Sequence, residues 1–85
     1  MDPLLRHDRT VRLIAGGLEG LALASERARG DVARFDRQVA AAAAATRHAV
    51  ELGIVGAEEA EAIWASAVRR HPRSCLAGRG PSLAA

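Results

Sequence analysis

Few residues of this 85-residue chain have side chains suited to chemistry. They are His7, His48, His71, Cys75, the acidic cluster Glu58, Glu59 and Glu61, and a set of arginines near the C-terminal end. No two histidines stand three or four apart, and Cys75 has no second cysteine, so the spacing of a zinc site is absent. His71-Pro72-Arg73-Ser74-Cys75 would supply only half of a ligand set, and these side chains read as solvated. Nothing places a serine, a histidine and an acid together, so no catalytic residue, cofactor site or metal site is assigned. The chain reads as non-enzymatic. Ser74 and Cys75 are expected to be exposed, but no motif marks either for attachment of a group. The glutamates read as solvated charge at the positive end of a helix dipole.

Arg69, Arg70, Arg73 and Arg79 are candidate phosphate contacts, because guanidinium groups neutralise phosphates without reading sequence. A helix-turn-helix reading of 45–62 fails. Ala49 and Gly53 are suitably spaced, but Glu59 falls where an apolar residue is needed, and three glutamates would repel phosphates. Gly16-Gly17-Leu18-Glu19-Gly20 carries two small residues four apart, a spacing that lets another helix lie close. Gly16 and Gly20 are therefore candidates for close helix packing. They do not form a phosphate loop, since no strand precedes them and no Lys-Ser/Thr follows. Trp64 is either the bulky piece that caps a helical core or an anchor for a partner. Arg29-Gly30-Asp31 spells an adhesion tripeptide, which has no meaning without secretion.

Elements must hold these residues. Asp2-Pro3 opens a helix as cap and first residue, with the helix expected over 3–29. Gly30-Asp31 suits a helix stop followed by a new cap, and a second helix is expected over 32–52. It contains the run Ala40 to Ala45, the best helix former. Gly53 ends it. A third helix is expected over 57–71, stopped by Pro72. Residues 72–85 turn to Pro, Gly, Ser and Arg and read as a flexible basic tail. Asp2 with Arg6, Asp8 with Arg12 and Arg47 with Glu51 stand four apart as favourable pairs.

The fold class is all-α, in one domain over 1–71. Apolar residues make up 49% of the chain, but 20 of the 85 are Ala and the only aromatics are Phe35 and Trp64. The core is therefore marginal, and oligomerisation is a common remedy for so short a chain. The basic residues are all Arg, and the net charge of +2 is too small to mark a nucleic-acid binder by itself. The stretch Val11 to Ser25 is nearly apolar all round, yet it holds Arg12 and Glu19 and is too short to span a membrane. A cytoplasmic location is expected.

Steps of three and four from Leu4 lead through His7, Val11, Ile14, Leu18, Leu21, Ser25, Ala28, Val32, Phe35, Val39, Ala42 and Thr46 to Ala49. No Arg, Asp or Glu interrupts this seam. Two architectures satisfy it. A helical hairpin or small three-helix bundle folds at Gly30 and sets Ile14, Leu18 and Leu21 against the regions of Thr46, Ala42 and Val39. The alternative is one coiled-coil-like helix of about 75 Å, which requires an oligomer. Self-association is assigned to Val11, Ile14, Leu18, Leu21, Val32, Phe35 and Val39. A second, smoother face of the first helix, Leu13, Gly16, Gly20 and Ala24, needs an occupant too.

The function expected from these features is a small helical interaction or assembly protein, a homo-oligomer with a further protein partner. The alternative is an oligomeric nucleic-acid-associated adaptor with Arg-rich tails. In outline that resembles the oligomerisation part of small DNA-packaging subunits of phages. The resemblance covers architecture and rests on no motif.

Overall fold

The computed structural model describes residues 2–28 and 31–83. Three α-helices pack together, with no strand among the described residues: α1 (Pro3–Arg27), α2 (Asp36–Glu51) and α3 (Ala57–Arg70). A 3-10 turn, Val32–Phe35, leads into α2. The chain therefore folds back, and the single long helix is not formed. Seam residues from both sides of the turn bury against one another instead of waiting for a second chain. The expected stop at Gly30, the adhesion tripeptide and the final residues of the expected tail lie wholly or partly outside the described residues.

Local chemistry explains the helix ends. The Asp2 carboxylate accepts from the Leu4 N–H at 2.9 Å, and Pro3 occupies the first turn, where its missing N–H costs nothing. At the end of α2, Gly53 takes a left-handed φ of 73°. Its N–H donates to the Val50 carbonyl at 3.0 Å, and the Ile54 N–H donates to the Ala49 carbonyl at 3.0 Å. This is a Schellman closure, which glycine makes without a Cβ penalty. Asp31 was expected to cap the second helix but makes no capping bond. That helix begins at Asp36, after the 3-10 turn. The Glu59 carboxylate accepts from the Gly56 N–H at 3.4 Å and helps open α3.

The core combines Leu18 and Ala22 of α1, Val39 and Ala43 of α2, Trp64 and Ala67 of α3, and Cys75 and Leu76. A second cluster, Ala49, Val55 and Ala60, closes the other end, with Val11 and Leu83 packed on it. Trp64 is 1% exposed, and its indole N–H donates to the Thr46 hydroxyl at 3.1 Å. The Thr46 hydroxyl itself donates to the Ala42 carbonyl at 2.8 Å, so the buried polar pair is satisfied.

The expected flexible tail runs back along α2. Ser74, Cys75, Leu76 and Pro81 are buried, not exposed as composition suggested. Turn bonds shape the segment: Ser74 N–H to the His71 carbonyl, Ala77 N–H to Ser74, and Arg79 N–H to Leu76. The Cys75 N–H donates to the Ser25 hydroxyl at 2.9 Å, which ties the segment to α1. The buried run Ser74, Cys75 and Leu76, with Pro81 beyond it, outweighs the loop-like composition around it.

Burial separates seam from surface energetically. Leu18→Ala should destabilise by about 2–5 kcal/mol in urea unfolding, the range for emptying a packed leucine site. Leu4→Ala, at a residue 75% exposed, should stay within about 0.5 kcal/mol of the parent.

Candidate functional site

The residues assigned to self-association are largely consumed inside the chain. Leu18 and Val39 are buried, and Ile14, Leu21, Val32 and Phe35 pack against the main core. Val11 packs against the second cluster. The facing expected of a hairpin is present: Ile14 and Leu18 share one groove with Ala42 and Thr46. Trp64 is the core wedge of the two readings, and its burial removes it as a surface anchor for a partner.

What stays open is the smoother face of α1. Leu13, Gly16, Gly17, Gly20 and Ala24 follow one another at steps of one to four and share one side of the helix. Neither α2 nor α3 covers it. A Cβ placed on Gly16, Gly17 or Gly20 would meet no atom within 4 Å. The close packing expected of Gly16 and Gly20 is thus not supplied by this chain. Leu13 is 70% exposed and Leu23 is 41% exposed. Leu13 and Gly17 line one side of an apolar groove of about 210 Å³, and Ala42, Ala45 and Thr46 line the other. Leu52 is exposed as well.

Three carboxylates are spent on histidines, among them Glu59, which was expected to be solvated. The His71 Nδ1–H donates to Glu26 at 2.6 Å and its Nε2–H donates to Glu19 at 2.9 Å. Only the doubly protonated ring can donate to both carboxylates at once, so this geometry favours the imidazolium form. Arg70 adds a contact of 3.3 Å to Glu19 and a hydrogen bond to the Ser66 hydroxyl. This clasp joins the end of α3 to α1. His7 makes a similar link from the start of α1 to Glu59 at 2.8 Å. His71 is buried, contrary to the solvated reading. Positions 19, 26 and 71 are too far apart in the chain for spacing to reveal the contact.

The four candidate phosphate contacts do not form one patch of free charge. Arg70 is engaged with Glu19, and Arg79 pairs with Asp36 at 2.5 Å. Arg69 and Arg73 are exposed and make no ion pair among the described residues. None of the three pairs expected four residues apart closes into an ion pair among the described residues. Arg47 donates to the Pro81 carbonyl at 3.2 Å instead. No group of three or more His, Cys, Asp or Glu is placed to hold a metal ion among the described residues. Among them, too, no helix is long and apolar enough to cross a membrane.

No protein-family model matches the chain, and no curated protein or solved structure shows significant similarity to it.

The clasps give stability a defined pH dependence. Hydrogen bonding to Glu19 is the main cause that raises the His71 pKa above its usual 6.5, partly opposed by burial. Hydrogen bonding to Glu59 does the same for His7. A raised folded-state pKa means the contribution is complete below 6.5 and is lost as pH rises through the folded value. Glu19 and Glu59 are lowered from 4.5, chiefly by their histidine partners. Their contribution is complete above 4.5 and is lost as pH falls through the lowered values. Urea midpoints should therefore be highest between pH 4.5 and 6.5. His71→Gln should shrink the decline on the alkaline side.

Proposed function

We propose that this protein is a small non-enzymatic helical assembly protein that associates with a second copy of itself through the open face of α1. The supporting observation is that face: three glycines with empty space before them, flanked by exposed Leu13 and Leu23. It differs from the seam that periodicity favoured, because the seam is already filled within one chain.

The order of residues along α1 favours self-pairing. Positions equidistant from residue 18 match in kind, Gly16 with Gly20 and Leu13 with Leu23. An antiparallel pair of α1 helices would set leucine over leucine and glycine over glycine. That is the self-complementarity a two-fold contact requires. The glycines let the backbones approach closely, and dispersion contacts and leucine burial supply the attraction.

The charge pattern opposes this contact at its edges. In the antiparallel pair Arg9 faces Arg27 of the other copy, and neither makes an ion pair among the described residues. A crossing of about 40°, usual where small residues meet, splays the helix ends and lessens the repulsion. One helix face also falls below the about 1,200 Å² of a standard interface, so the association is weak and reversible.

Sedimentation equilibrium from micromolar to near-millimolar protein tests the reading. A monomer–dimer equilibrium is expected, and it should strengthen between about 0.02 and 0.5 M salt as the arginines are screened. Gly20→Leu should leave a folded monomer and abolish the dimer. In the monomer a Cβ at position 20 meets nothing within 4 Å, and leucine's higher helix propensity should add up to about 1 kcal/mol of stability. A parent chain that stays monomeric throughout would refute self-association.

A further inference from the structure

The segment from Gly78 to Ser82, Gly-Arg-Gly-Pro-Ser, does more than close the fold. It forms one wall of a cavity of about 290 Å³, with Gly78, Arg79, Gly80 and Ser82 on that side. The other wall is α2, which supplies Val39, Ala40, Ala43 and Arg47. Two arginines thus belong to the lining of one small cavity, and no Asp or Glu does. Sequence alone connects these arginines poorly, since 47 and 79 come together only because the segment returns along α2.

The backbone here is unusual as well. Gly78 has φ 70° and Ser82 has φ 53°. A left-handed serine is uncommon, and this one directly follows the buried Pro81. The Gly80 and Ser82 N–H groups donate to nothing among the described residues. Glycine at 78 and 80 leaves the wall without side-chain bulk, so a ligand can come close to the backbone.

We propose that this cavity is a binding site for a phosphate group, as inorganic phosphate or as the monoester of a small molecule. Arg47 spends one N–H on the Pro81 carbonyl, which fixes its position and leaves the rest of its fork free. Arg79 spends one on Asp36, a pair exposed on both sides, with 41% and 56% of the two side chains accessible. Such a pair is weakly held. A phosphate dianion offers more oxygens and more charge than Asp36 and competes for the same guanidinium. The Ser82 hydroxyl and the free N–H groups add neutral donors. Val39, Ala40 and Ala43 leave room for a small apolar substituent.

Titration of the 15N-labelled chain with inorganic phosphate, at ionic strength held constant with sodium chloride, tests the site. Saturable shifts are expected at the Gly78, Gly80 and Ser82 amides. Arg47→Gln and Arg79→Gln should each weaken binding by about tenfold, the loss expected for one charge-assisted contact. Asp36→Asn should tighten it by freeing Arg79, and Arg69→Gln should leave it unchanged. If Arg47→Gln does not fold, Arg79→Gln and Asp36→Asn carry the test, since both side chains are largely exposed. Shifts that do not saturate, that spread equally to Arg69 and Arg73, or that survive Arg79→Gln would overturn the proposal. This site is independent of the α1 contact, and Gly20→Leu should not affect it.

Discussion

The fold depends on one large side chain seated among small ones. Trp64 is buried where α1, α2, α3 and the returning segment meet, beside Ala22, Ala43 and Ala67. A chain this rich in alanine has little apolar area with which to offset chain entropy. The indole supplies more area than any other side chain in the core, and the alanines let the helices approach it. Its N–H must then be satisfied, because an unpaired buried donor costs about 1–3 kcal/mol. Thr46 meets that need. Thr46 lies on the seam, so the same position helps set the register of α2 against α1 and α3.

Around that centre the helices are joined at two ends by charge. His71 gathers Glu19 and Glu26 where α3 ends, and His7 meets Glu59 where α3 begins. These contacts are partly exposed and individually modest. Their value is positional: they hold α3 along one side of α1 and leave the opposite side free. α2 takes the seam. The Gly16–Gly20 side is what remains once both neighbours are placed, and in this sense the open face follows from the packing of the other two.

Much of this was legible in the residues themselves. Asp2-Pro3, Gly53 and Pro72 mark helix ends by local chemistry, and all three do so in the structure. The seam identified which side of α1 meets α2. It could not decide between a partner in the same chain and one in another, since both satisfy the same periodicity. The histidine clasps and the Arg47–Arg79 cavity were invisible for another reason. Each joins residues more than 30 positions apart, through a fold that no short spacing encodes. The segment after Pro72 was misleading. Its composition is that of a loop, while its structure rests on the buried Ser74, Cys75, Leu76 and Pro81.

Disulfide cross-linking reads whether the open face of α1 pairs with a second copy. Two chains would be mixed in equal amounts under mild oxidation, one carrying Leu13→Cys and the other Leu23→Cys. Cys75 is buried and can stay in place. An antiparallel two-fold contact should give mainly the mixed 13–23 disulfide. Products joining only 13 to 13 and 23 to 23, or no disulfide dimer at all, would contradict it.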